Sequence, residues 1–257
     1  MKLKRKYVEK PWGRTSLPAM FDPPAGEKIG EVWYEGGGDL PLLAKYIFTS
    51  EALSIQVHPN DDQARERGLA SGKTECWYIL DAEPGAVLGV GLKHEVQADA
   101  LREAALDGSI EQMIAWHPVG RGDFVYVPAG TIHAIGPGIS LLEFQQNADV
   151  TYRLYDYGRP RELHLDDGMA VAAARPIDPS LFQHVEEGEK RALVDRGHFA
   201  LSSGSSDVMT DRKRWVMPIR GTIRCGSEEA GAGDVLLAEA GATVDYDGAW
   251  ALTGTTL

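Results

Sequence analysis

Cysteine is scarce in this sequence. The 257 residues hold two, Cys76 and Cys225, far apart and in no CxxC pattern. That excludes a disulfide framework and a thiolate zinc site. No apolar run approaches the roughly 20 residues that cross a bilayer as a helix. The opening stretch, MKLKRKYVEKPWGR, is basic but has no apolar region behind it, so it does not read as a secretory signal. Positive charge is also in short supply: 26 Lys and Arg stand against 38 Asp and Glu, a net charge of -12. No basic block suited to nucleic acid stands out beyond Lys2–Lys6, which reads as a solvated N-terminus. Gly89-Val90-Gly91 lacks the third glycine and helix start of a dinucleotide fingerprint, and no Walker-type loop is present. The expectation is a soluble protein of a reducing cytoplasm, with no nucleic-acid and no membrane partner.

What is present is an ordinary globular composition, 43% hydrophobic and 25% charged, long enough to bury a core without staples. A metal in such a chain is expected to serve chemistry rather than folding. Strand-like runs dominate: Leu42–Thr49, Leu53–His58, Glu75–Asp81, Ala86–Gly91, Phe124–Pro128, Gly138–Asn147 and Thr151–Asp156. Gly, Pro, Asn and Asp punctuate them at short spacing. Helical periodicity covers Ala98–Trp116, where Leu101, Ala104, Ala105, Ile110, Met113 and Ile114 recur, and a shorter helix is expected over Asp166–Ala174. Many short strands with one helical insert predict a β-barrel or sandwich. The stretch Arg175–Ser180 reads as a linker, followed by strand-like Phe199–Ser203, Trp215–Arg220, Thr222–Cys225, Val235–Ala238 and Ala249–Thr253. The expected domains are therefore residues 1–175 and a smaller β domain, 176–257. A weak internal repeat lays Gly122–Gly130 over Gly233–Gly241; both run from a Gly-Asp turn through an apolar strand to Ala-Gly. Continuing that register puts Val244 where the first copy has His133, so the second copy carries no metal site.

In Leu53–Pro59 strand alternation puts Leu53, Ile55 and Val57 on one face and Ser54, Gln56 and His58 on the other. The apolar face packs on the core, the polar face can line a cavity, and Pro59 ends the strand. Glu75 begins an otherwise apolar strand, and the turn Pro128-Ala129-Gly130 delivers His133 onto another. Singly, a strand His is more often a neutral hydrogen-bonded residue, and a strand-end Glu a solvated carboxylate. Jointly, two imidazoles, a carboxylate and an amide oxygen make a first shell for a divalent ion, whether zinc, iron, manganese, cobalt or nickel. The remaining histidines (His94, His117, His164, His184 and His198) read as surface or capping residues at loops and element ends.

Gln56–Asp61, Gly72–Trp77, Pro128–Ala134 and Thr151–Tyr157 resemble the type I mannose-6-phosphate isomerases, in their short bacterial form. Lys10-Pro11-Trp12-Gly13 and Gly30-Glu31-Val32-Trp33 are similar to that family too, so the matches run in order from about residue 10 to 165. The resemblance implies a mainly β fold: a cupin (jelly-roll) barrel with a helical insertion, followed by a second, smaller metal-free cupin-like domain. It implies one zinc ion per chain, bound by Gln56, His58, Glu75 and His133. It implies that Arg153 and Lys73 are catalytic, and that Lys73, Arg153 and Trp12 bind substrate. The implied activity interconverts mannose 6-phosphate and fructose 6-phosphate; the partner is a small sugar phosphate, and the chain a monomer or homodimer. Two features depart from the family: the segment between Trp33 and Leu43 is short, and the part after Arg175 matches weakly.

Moving a proton between C2 and C1 through an enediol places charge on two sugar oxygens, and a redox-inert Lewis acid stabilises such charge. Lys73, a metal-bound water or a nearby carboxylate are the candidates to carry the proton. A divalent ion with one carboxylate ligand leaves the site about one unit positive. Lys73 and Arg153 add to that, which reconciles an acidic chain with an anionic substrate. Arg153 shares a strand face with Thr151 and Tyr155; its competing role is a surface ion pair with Asp149 or Asp156. A non-haem iron dioxygenase or a non-catalytic sugar-binding cupin are the alternative functions.

Overall fold

Short alternating runs separated by turn residues fold as antiparallel strands. The computed structural model describes residues 1–36 and 38–257; Gly37, inside the short segment between Trp33 and Leu43, lies outside the described residues. Strands β1 (Lys4–Arg14), β2 (Ile29–Glu35), β3 (Leu42–Phe48) and β4 (Ile55–Val57) lead to helix α1 (Asp61–Glu66). Next come β5 (Glu75–Ala82), β6 (Val87–Leu92), α2 (Ala98–Asp107), α3 (Ile110–Met113), β7 (Ile114–Pro118), β8 (Asp123–Val127), β9 (His133–Ile135), β10 (Ile139–Gln146), β11 (Tyr152–Tyr155) and α4 (Leu165–Val171). After a 3-10 turn at Pro179–Leu181 follow β12 (Phe182–His184), β13 (Arg191–Arg196), β14 (Phe199–Gly204), β15 (Arg214–Arg220), β16 (Thr222–Cys225), β17 (Glu228–Gly231), β18 (Leu236–Ala238) and β19 (Trp250–Thr256).

A seven-stranded sheet, β1-β2-β3-β10-β5-β8-β12, faces a five-stranded one, β11-β4-β9-β6-β7. Their inner sides share a core of Ile47, Trp77, Ile79, Leu88, Val90, Val125, Ile135 and Leu141. The helices cover the outer side of the five-stranded sheet, where Ile55, Val57, Leu101, Ala105 and Leu154 pack together. A third sheet, β13-β14-β19-β15-β18, and the hairpin β16-β17 form the smaller C-terminal unit. Its own core contains Val216, Ile223, Leu236, Val244 and Ala251. Its other face packs on the back of the large sheet, joining Cys76, Tyr78, Phe124, Leu142 and Phe144 to Phe199, Trp215 and Trp250. No helix among the described residues is long and apolar enough to cross a membrane.

Several expectations need correction. The helical interval expected to reach Trp116 stops at Gly108, which caps α2 at φ 86°. One further turn follows, then Ile114–Pro118 becomes a strand paired with β6. His117 therefore lies on a strand, its ring 4.4 Å from that of Phe182. Lys2–Lys6 is not a solvated tail: Leu3 is buried, and Lys2 and Arg5 each lie 2.7 Å from a carboxylate oxygen of Asp234. Leu53 precedes β4 and joins the lumen core, apart from Ile55 and Val57. The linker near residue 176 does not separate the packing: β12 pairs with β8, and Leu3 donates from its backbone to Val235.

The internal repeat has a physical basis. Asp123 accepts the Gly120 N–H at 2.8 Å and Asp234 accepts the Gly231 N–H at 3.0 Å, so both strands open from the same turn. Gly122 and Gly233 supply the positive φ that each turn needs, 92° and 84°. Past the strands, Thr131 N–H donates to Pro128 and Ala242 N–H to Glu239, both at 3.1 Å. Val244 is buried where the first copy carries His133.

Candidate metal centre

Register brings the polar residues together. In the five-stranded sheet Arg153 pairs with Gln56, and Gln56 with His133. Directly paired residues point to the same side of a sheet, so these three form a row facing the lumen. His58 lies two positions beyond Gln56 and points the same way. Its carbonyl accepts the Gly130 N–H at 2.8 Å, which docks the Pro128–Gly130 turn against it. On the opposite sheet Trp33, Lys45, Glu143 and Trp77 form a second row, with Glu75 one strand residue pair beyond Trp77.

The two rows meet at three buried residues able to ligate a metal. His58, Glu75 and His133 offer atoms that all lie within 4.8 Å of one another. His133 Nε2 is 3.3 Å from Glu75 Oε1, and His58 Nε2 is 3.6 Å from Glu75 Oε2. His133 Nδ1 donates to the Thr131 carbonyl at 2.8 Å, which leaves Nε2 bearing the lone pair. Lys73 Nζ, an obligate donor, lies 2.9 Å from His58 Nε2 and 2.6 Å from Glu75 Oε2. Two imidazole nitrogens able to bear lone pairs thus stand beside the Glu75 carboxylate, with Lys73 against His58 and Glu75. That donor set fits a divalent ion. Gln56 stands next to it, but its Nε2 faces His133 at 3.2 Å while Oε1 accepts from Ser54. Half a turn of the amide would present the oxygen instead.

Burial, and then the neighbouring Lys73, hold His58 well below the ordinary imidazole range and His133 at about 4. Both rings are therefore neutral, as ligation requires. Burial raises Glu75 to about 8 against the pull of Lys73. Burial works to raise Glu143 as well, but Lys73 and Lys45 outweigh it and hold the carboxyl at about 2. For Lys73 burial acts downward, and Glu143 and Glu75 overcome it, so the ammonium is held above its ordinary value.

The cavity above His58, Glu75 and His133 is walled by Lys10, Trp12, Glu31, Lys45, Lys73, Trp77, Glu143, Asp149, Arg153 and Arg161. Trp12 is buried on this wall. Arg153 forms no ion pair among the described residues: Asp156 is taken by Arg159 and Arg161, and Arg153 donates to the Glu162 carbonyl at 2.8 Å. Burial, with Arg161 nearby, lowers its pKa. Sequence reasoning missed the Lys45–Glu143 pair, 3.2 Å apart and nearly inaccessible, to which Trp77 donates at 2.9 Å. It also missed Glu31 and Arg161. The available signal was a single charge in an apolar strand, as in LLAKYIF and ISLLEFQQ. The other histidines stand apart; His164 is at the N-cap of α4, and His184 pairs with Asp123 at 2.8 Å.

No family model matches the chain. Curated relatives do: the mannose-6-phosphate isomerase of Streptococcus mutans is 44% identical over 138 residues, 51% of this chain and 43% of that protein. Mannose-6-phosphate isomerase ManA of Bacillus subtilis is 39% identical over 187 residues, 67% of this chain and 59% of that protein. The matched region thus spans about half the length of these curated relatives. The crystal structure of the Bacillus subtilis mannose 6-phosphate isomerase superposes with a TM-score of 0.79 at 25% identity, covering 98% of each chain. A phosphomannose isomerase of Salmonella typhimurium, at 14% identity and TM-score 0.74, shares the fold. Fold and site define a cupin protein with a centre able to hold a metal. Within that class its similarity is to proteins named mannose-6-phosphate isomerase.

Proposed function

We propose that the protein interconverts mannose 6-phosphate and fructose 6-phosphate, with one zinc ion held by His58, Glu75, His133 and the amide oxygen of Gln56. The observation that carries this reading is the convergence of two neutral imidazoles and a buried carboxylate beneath a cavity rich in cations, in a chain whose relatives bear that name. Bound there, the metal supplies Lewis acidity toward the sugar oxygens that become negative in an enediol.

The chain's own residues account for the remainder. Lys73, held as an ammonium by Glu75 and Glu143, stabilises negative charge and is not the group that removes the proton. Lys10, Arg153 and Arg161 line the cavity and give an anionic substrate its attraction in an acidic protein. Trp12 and Trp77 supply apolar wall that keeps water from the reacting carbons. Two free cysteines, Cys76 and Cys225, fit a reducing compartment, and the same reading puts the enzyme in the cytoplasm as a monomer or homodimer.

A coupled assay tests the reading. Fructose 6-phosphate forms from mannose 6-phosphate, the rate falls with a chelator, and zinc restores it. Metal-loaded protein without turnover would favour a non-catalytic sugar-binding cupin, and oxygen uptake with iron would favour a dioxygenase.

A further inference from the structure

Lys73 and Glu75 reach the centre from the segment Gly72–Glu75, and that segment is tied down from outside the cavity. Asp61 opens helix α1, but Asn60, not Asp61, caps it. The Asp61 carboxylate turns away: Oδ1 accepts the Gly72 N–H and the Gln146 amide Nε2, each at 2.8 Å. Gln146 then accepts the Thr74 N–H on its Oε1 at 2.9 Å and donates its own backbone N–H to the Thr74 carbonyl at 3.0 Å. Between them, Lys73 N–H donates to the Pro59 carbonyl at 3.0 Å. Three successive backbone N–H groups are thus fixed, two of them through Asp61 and Gln146. The approach is close: a Cβ on Gly72 would lie 2.5 Å from the Asn60 carbonyl carbon, so only glycine fits. From the C-terminal unit, His198 Nδ1 stands 3.6 Å from the other Asp61 oxygen. Neither Asp61 nor Gln146 lines the cavity.

We infer that Asp61, acting through Gln146, is a positioning residue that sets Lys73 and Glu75 against the metal centre and links their placement to the C-terminal unit. This rests on the function proposed above. The carboxylate fits the task because one oxygen can take two N–H donors while the other faces His198. Errors of about 1 Å at such a centre cost on the order of 100-fold in rate.

The test compares Asp61→Ala, Asp61→Asn and Gln146→Ala, with Asp62→Ala as control, since Asp62 is exposed and, among the described residues, pairs only with Arg65. Loss of groups that orient metal ligands costs about 10- to 100-fold in metal affinity or activity. Asp61→Ala and Gln146→Ala are therefore expected to lower kcat for fructose 6-phosphate formation by about tenfold or more, with KM changed less than about threefold. They are also expected to release zinc to a chelator about tenfold faster. Asp61→Asn keeps the Oδ1 acceptor and is expected to recover most of both. Wild-type kcat and zinc release in Asp61→Ala and Gln146→Ala would overturn the inference, as would an Asn variant no better than the Ala variant. If Asp61→Ala does not fold, Gln146→Ala and Asp61→Asn decide alone. If the wild-type chain does not isomerise the sugar, the proposed function fails, and zinc release still decides on Asp61.

Discussion

Glu75 shows how a single residue organises this site. It is fully buried beside an ammonium, two imidazoles and, one strand away, a second carboxylate. Buried charges persist only when paired, and the pairs here are Lys73 with Glu75 and Lys45 with Glu143. Removing a ligand should therefore remove metal-dependent activity without removing the barrel: Glu75→Ala and His133→Ala are expected to lose chelator-sensitive turnover while keeping wild-type far-ultraviolet circular dichroism. Wild-type rates in either variant would refute the ligand assignment. The imidazoles also set an acid limit. Free His titrates near 6.5, whereas His133 sits at about 4 and His58 lies well below its ordinary value. Between those values the unfolded chain binds protons that the folded chain refuses. Their stabilisation is therefore full above about pH 6.5 and is lost as pH falls toward 4. For His133 alone the span corresponds to roughly 3 kcal/mol. Glu75, raised to about 8, acts with the opposite sign, but one carboxyl opposes two imidazoles. Metal-free protein should show a lower urea midpoint at pH 5 than at pH 7, and a His133→Asn variant a smaller drop. Equal midpoints in the wild type would contradict the burial of neutral rings.

At the scale of elements, the lumen-facing rows depend on register, because a one-residue slip would send every side chain to the other face. The C-terminal sheet secures that register by packing on the outward residues of β10 and β5. A Cβ on Gly254 of β19 would lie 2.4 Å from the Phe144 ring, which Phe199 and Trp215 hem in at 5.3 and 6.1 Å. Gly254→Ala is thus expected to cost about 1–3 kcal/mol by overpacking, seen as a lower urea midpoint at unchanged slope. A neutral substitution would mean that the two units do not press on each other there. The legible part of the site was local. Alternation put Gln56 and His58 on one face, and a Pro-Ala-Gly turn announced His133. What could not be read were partners far apart in sequence. Lys45 looks like a stray charge until β10 lays Glu143 against it. Lys2 and Arg5 look solvated until Asp234 comes round from the far end of the chain. The helical pattern overran into β7 because Ile114 and Trp116 satisfy either period, and only pairing with β6 decides between them.

For the molecule as a whole, two copies of one strand-and-turn motif have taken different parts. The first carries His133 and the cavity. The second carries Val244, buries it, and braces the large sheet from behind. The repeat and the jelly-roll class were legible from turn chemistry and strand spacing. The sharing of strands across residue 176 was not, because β12 and the first residues pair over distances that no local pattern encodes. The proposed function requires this architecture to hold one catalytic metal at the His58–Glu75–His133 centre and to use it to isomerise a sugar phosphate. The direct measurement is a titration of chelated, metal-free protein with zinc while fructose 6-phosphate formation from mannose 6-phosphate is followed. Activity is expected to start near zero, rise in proportion to metal, and level off at one equivalent per chain. Full activity before any metal is added, or none at any level of zinc, would contradict it.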